Sequence, residues 1–75
     1  MPEIKYEIVK SLGALGEPNG KGWVKELNLI KWNDYPAKYD LREWLPDEKR
    51  MGKGLTLSHD EVVALKSMLN SIELK

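Results

Sequence analysis

The chain has 75 residues, no cysteine, and twelve basic against twelve acidic side chains, so its formal net charge is zero. That length allows one domain with a marginal core, and the missing cysteines exclude disulfides and thiolate metal sites. Zero net charge argues against long-range attraction to nucleic acid, whose partners usually carry a basic excess.

No apolar run approaches the roughly 18 residues of a membrane span. The first ten residues, MPEIKYEIVK, carry charges throughout and do not resemble a secretory signal. A cysteine-free chain fits a cytoplasmic location. Small domains without disulfides or metals often oligomerise, which predicts a homodimer. The charge is unevenly spread. Residues 21–53 hold eight basic and six acidic side chains, a local net charge of +2, and each flank comes to −1.

In chain order, Ile4, Tyr6, Ile8 and Leu12 alternate with Lys5, Glu7, Val9 and Ser11. This predicts a first strand from Ile4 to Leu15 with one face partly buried. Lys10 falls on the apolar parity, and Gly13 marks a bulge or bend. The stretch GEPNGKG (16–22) is the strongest turn signal and predicts a hairpin with Lys21 near its tip.

Strand two is predicted over Trp23–Asn33. Neither of its parities is clean, so the pattern leaves its core face open. A bulge near its middle would put Leu27 and Leu29 on the core side. Asp34-Tyr35-Pro36 ends the strand, because Pro36 cannot donate to a ladder.

Strand three is predicted over Ala37–Leu45. Lys38, Asp40, Arg42 and Trp44 share one face; Tyr39, Leu41, Glu43 and Leu45 share the other. Pro46 closes it, residues 47–52 form a loop, and Lys53–Leu57 form strand four. Ser58 and Glu61 then make a capping box, with Leu57 and Val62 at the staple positions. Val62, Leu65, Leu69 and Ile72 follow 3-4-3 spacing, so a helix runs from Ser58 to between Ser71 and Leu74. The predicted fold is α+β: four antiparallel strands and one C-terminal helix covering one sheet face. Basic side chains and a tryptophan on the other face suggest a surface that stacks bases and holds phosphates.

Asp40-Leu41-Arg42-Glu43-Trp44, a charged loop, Lys53-Gly54-Leu55-Thr56-Leu57 and the capped helix with Leu65 and Leu69 resemble the positive cofactor four family of transcriptional coactivators. The resemblance covers Ala37 to Ile72. It implies a four-stranded sheet plus helix, a homodimer, and binding of single-stranded DNA with little sequence preference. By position, it implies phosphate or base-edge contacts from Arg42 and Lys53 and stacking on Trp44. A basic residue followed by an aromatic at the end of strand two gives Lys31 and Trp32, with Trp32 a second stacker. Lys25 and Lys31 are backbone-contact candidates, and Lys21, near the hairpin tip, completes the candidate set. The chain departs from the pattern in its zero net charge, in Gly52 where a second basic residue is usual, in its extended first hairpin, and in having no Ser- or acid-rich tail. The missing tail argues against a eukaryotic-style coactivator role and suggests a compact, stand-alone, bacterial-type member, expected to be nucleoid-associated when bound.

Plainer readings compete. Trp23, Trp32 and Trp44 also suit a core or a dimer interface. Tyr6 and Tyr39 share parity with aliphatic neighbours and read as core. Lys5, Lys10 and Lys38 read as solvated edge charges, and Lys49 and Arg50 as a solvated turn. Arg42 has Asp40 and Glu43 as neighbouring carboxylates. His59, at the helix start with Asp60 and Glu61 beside it, could suggest a metal or acid–base site, but a catalytic histidine needs an orienting partner and a nucleophile in a pocket, and no GxGxxG, P-loop, HExxH or paired-acid pattern is present. An enzyme, a cofactor and a small-molecule substrate are therefore not expected. Two alternatives to DNA stay open: a protein–protein module using the same aromatic surface, and single-stranded RNA.

Overall fold

The computed structural model describes residues 5–45 and 50–74. Four strands, β1 (Tyr6–Ala14), β2 (Val24–Trp32), β3 (Lys38–Trp44) and β4 (Met51–Leu57), precede one helix, α1 (His59–Ser71). The sheet order is β1-β2-β3-β4 and each neighbouring pair is antiparallel. The expected start of the first strand at Ile4 and the first half of the expected 47–52 loop, Asp47 to Lys49, lie outside the described residues, as does Pro46. Arg50 is exposed, while Met51 and Gly52 belong to β4.

Register assigns the faces. Val24 pairs with Trp44, Glu26 with Arg42, Asn28 with Asp40 and Ile30 with Lys38. Asp40 pairs with Thr56 and Arg42 with Gly54 across β3–β4, and Tyr6 pairs with Trp32 and Ile8 with Ile30 across β1–β2. These residues share the inner face of the sheet. Leu27, Leu29, Tyr39, Leu41, Leu55 and Leu57 share the outer face.

The core lies on the inner face. Ile30, Trp44, Asn28 and Asp40 are all 0% exposed. The expected bulge in strand two is therefore overturned. The β2–β3 register is unbroken, and Leu27 and Leu29 are only half-buried, on the opposite face from Asn28 and Ile30. The irregularities sit in β1 instead, between Ile8 and Lys10 and between Ser11 and Gly13. Each inserts one extra residue, Val9 or Leu12, and shifts the parity of the residues after it. That explains why Lys10 falls on the apolar parity: past the first bulge it opposes Leu29, and Ser11 turns inward opposite Asn28. Gly13, at φ 147, supplies the second irregularity.

The sheet is strongly curled. Tyr6 pairs with Trp32 at one end of β2, whereas Trp44 pairs with Val24 at the other end. In a flat sheet eight residues of strand would separate these corners by roughly 26 Å. The Tyr6 and Trp44 ring centroids are 5.9 Å apart. Opposite corners therefore fold towards each other over the inner face, and the two bulges in β1 add twist in the required place.

The two turns flanking β2 are held by asparagine side chains. Asn19 Oδ1 accepts from the backbone N–H groups of Lys21 (2.9 Å) and Trp23 (3.0 Å), and the left-handed residue is Gly22 at φ 90 rather than Gly20. After β2, Asn33 adopts φ 49; its N–H donates to the Lys5 carbonyl (2.7 Å) and its Oδ1 accepts from the Lys5 N–H (3.0 Å). This double contact clamps β1 beside Trp32.

The helix forms as its signals require. Ser58 accepts from the Glu61 N–H (3.2 Å) and Glu61 Oε1 accepts from the Ser58 N–H (2.8 Å), completing the capping box. Its packing departs from expectation. The helix lies against β3 and Leu27 on the outer face, yet none of its residues is buried. Leu65, Leu69 and Ile72 remain 40%, 49% and 51% exposed. The domain core is closed by the curl of the sheet, not by the helix.

Candidate nucleic-acid interface

The inner face opens into a cavity of about 410 Å³ lined by Tyr6, Trp32, Arg42, Met51 and Thr56. Its wall is aromatic. Tyr6 and Trp32 meet at 5.7 Å between centroids, tilted by 43°, and Tyr6 also meets Trp44 beneath them. The Arg42 guanidinium carbon sits 5.0 Å from the Trp32 ring centroid, a cation–π contact. Six residues of strand separate Trp32 from Glu26, the register partner of Arg42, so the contact requires the curl of the sheet.

Arg42 is held from below. Its Nε donates to Asp40 Oδ1 (2.6 Å) and its Nη2 to Asp40 Oδ2 (2.7 Å), while Nη1 donates to Met51 Sδ (3.3 Å). Thr56 Oγ1 donates to Asp40 Oδ2 (3.3 Å). The Arg42 side chain is 15% exposed above a fully buried Asp40. Gly54 faces Arg42 across the ladder because nothing larger fits: an added Cβ would lie 2.5 Å from the Leu41 carbonyl oxygen and closer still to Arg42 Cβ.

The structure brings some of the expected residues together and separates others. Trp32 and Arg42 meet and line the same cavity; Trp32 is part-exposed as a residue, while its indole N–H is buried with no acceptor among the described residues. Lys31 is exposed on the other face of β2 and lines a second cavity of about 170 Å³ with Lys5, Tyr6, Glu7 and Asn33, beside Trp32. Lys53 is exposed at the bulge of β4, where it and Gly52 oppose Glu43 between the Trp44–Met51 and Arg42–Gly54 pairs. Lys21 is exposed in the first turn. Lys25 is exposed on the outer face at the start of β2, paired with Glu43, and lines a separate cavity with Trp23 and Glu17.

Trp44 requires a correction. At 0% exposure it offers no ring face to a base, and its indole N–H has no acceptor among the described residues. It shares the face of Arg42, as its parity required, but the curl places it under Tyr6 as a core residue. Conversely, Tyr6 is a wall of the site as well as core, and Met51, Thr56 and Asp40 belong to it. Lys38, expected to be an edge charge, is exposed on the inner face opposite Ile30. The signal that finds these residues is register: Tyr6 opposite Trp32, Thr56 opposite Asp40.

Residues 19–68, two thirds of the chain, match the family described as transcriptional coactivator p15 (PC4). The chain belongs to the PC4 family. That family is known for binding single-stranded DNA and is non-enzymatic. A protein of Treponema pallidum (strain Nichols), described as uncharacterized, is 47% identical over 72 residues, which cover 96% of this chain and 84% of that protein. The PC4 match spans Trp32, Arg42, Lys53 and the capping box, and leaves Tyr6 outside it. Among the described residues no helix is long and apolar enough to cross a membrane, and no three His, Cys, Asp or Glu side chains form a group able to hold a metal ion.

Proposed function

We propose that this PC4-family chain binds single-stranded DNA with little sequence preference. The observation that carries the reading is the Trp32–Arg42 pair at the mouth of the inner-face cavity. Trp32 offers part of a ring to a base, and such stacking contributes about 1–3 kcal/mol per base whatever its identity. Arg42 extends that surface and retains N–H groups for a phosphate oxygen or base edge. Lys38 is an exposed cation on this face and Lys53 is exposed at the β4 bulge beside it; Lys31, on the opposite face of β2, serves only a strand that wraps the edge next to Trp32. Lys21 and Lys25, at the other end of β2, serve at most a longer strand.

The working unit in this reading is a homodimer. Its support is the helix stripe Leu65, Leu69 and Ile72, which is left half-exposed in the single chain. An apolar stripe of that kind is what a second copy covers.

The test is anisotropy of a labelled 20-base oligothymidine, the matching oligouridine and the duplex, each over a salt series. The expected result is DNA single-strand binding that weakens with salt, since phosphate contacts release counterions. The duplex should bind much more weakly, because its bases are not free to stack. Trp32→Ala should lower single-strand affinity about tenfold, as the lost stack implies. Equal binding of single strand and duplex would overturn the stacking mechanism, and tighter binding of oligouridine would redirect the reading to RNA.

A further inference from the structure

Asp40 is a fully buried carboxylate on the face that the binding reading assigns to a polyanion. Charge alone makes it unhelpful there, and it makes none of the proposed contacts to the strand. Both of its oxygens are nevertheless committed. Oδ1 accepts from Arg42 Nε, and Oδ2 accepts from Arg42 Nη2 and from Thr56 Oγ1. The two bonds to Arg42, at 2.6 and 2.7 Å, form the two-pronged pairing that fixes a guanidinium in direction as well as in place.

The geometric consequence is specific. Arg42 lies two residues along β3 from Asp40 on the same face, so the pair draws its side chain back along the strand. That direction leads away from the Trp44 end and towards Trp32, which the guanidinium meets at 5.0 Å. Nη1 is left with Met51 Sδ, a weak acceptor that a phosphate oxygen or base edge can replace.

We propose that Asp40 is a positioning residue for single-strand binding: it holds Arg42 against Trp32, so that a buried negative charge raises affinity for a negatively charged strand. This inference rests on the single-strand reading. A purely electrostatic account makes the opposite statement. In it, neutralising Asp40 frees the full charge of Arg42, tightens binding and steepens its salt dependence.

The experiment compares the full chain with Asp40→Asn and Thr56→Val in the same oligothymidine salt series. Asp40→Asn should bind about three- to tenfold more weakly, the loss of one oriented cation–π platform. The slope of log affinity against log salt should stay within the ~0.7 that one single-strand phosphate contact contributes. In the free protein, the Arg42 Nε–H proton resonance should be visible in the parent and lost to solvent exchange in Asp40→Asn. Thr56→Val removes one donor to Asp40 at an exposed position and should weaken binding about twofold; it carries the test if Asp40→Asn does not fold. Unchanged or tighter binding by Asp40→Asn, or by Thr56→Val in that event, overturns the positioning role and leaves the single-strand reading standing. A parent protein that binds no oligothymidine overturns both.

Discussion

The inner face of the sheet and the C-terminal helix carry the apolar chemistry of this domain in opposite ways. The helix has the cleaner pattern: a 3-4-3 stripe, a capping box, and acidic residues in its first turn. Yet none of its residues is buried. The inner face reads in sequence as a mixture of Asn28, Ile30, Asp40, Arg42 and Trp44, and it holds every fully buried side chain among the described residues. Local periodicity thus reports which side of an element is apolar. It does not report what covers that side. Curl covers the inner face from within the chain, and the helix stripe is left for something else.

Three substitutions sharpen this contrast. The largest effect belongs to Trp44→Ala, which empties the most voluminous buried site; urea unfolding should show a loss of about 3–5 kcal/mol. A loss below about 1 kcal/mol would mean that the inner face is not the core. Next is Ser58→Ala, which deletes the N-cap acceptor of α1 and should cost about 1 kcal/mol in the same measurement. The smallest is Leu69→Ala. In dilute protein it should cost about 0.5 kcal/mol or less, since half of the side chain is already in water. At concentrations where a dimer forms the cost should rise to about 2 kcal/mol, with a matching shift in sedimentation. A concentration-independent cost would remove the helix stripe from the proposed dimer interface.

Much of this architecture is legible in sequence. The four strands, their antiparallel order and the helix boundaries follow from turn residues, from Pro36 and from the capping box. The grouping of Lys38, Asp40, Arg42 and Trp44 on one face follows from strict alternation along β3. The core face of β2 is not legible, because both of its parities mix apolar with polar residues and the buried face carries Asn28 beside Ile30. The fate of Trp44 is not legible either. Parity places it beside Arg42, but only three-dimensional closure decides that Tyr6 lies over it while Trp32 stays part-exposed beside Arg42. Asp40 escapes a sequence reading for the same reason. As an i, i+2 neighbour of Arg42 it suggests an exposed pair of small consequence. Burial at 0% turns it into a fixed anchor.

The central claim is that Trp32, with Arg42 beside it, is the surface on which a single strand stacks. Intrinsic tryptophan fluorescence tests it most directly, with 20-base oligothymidine titrated at low and moderate salt into the parent, Trp32→Phe and Trp23→Phe proteins. The account expects quenching in the parent that weakens with salt, persists in Trp23→Phe and disappears in Trp32→Phe, since Trp44 is sealed in the core. Quenching that survives in Trp32→Phe, or no response from the parent at low salt, would contradict it.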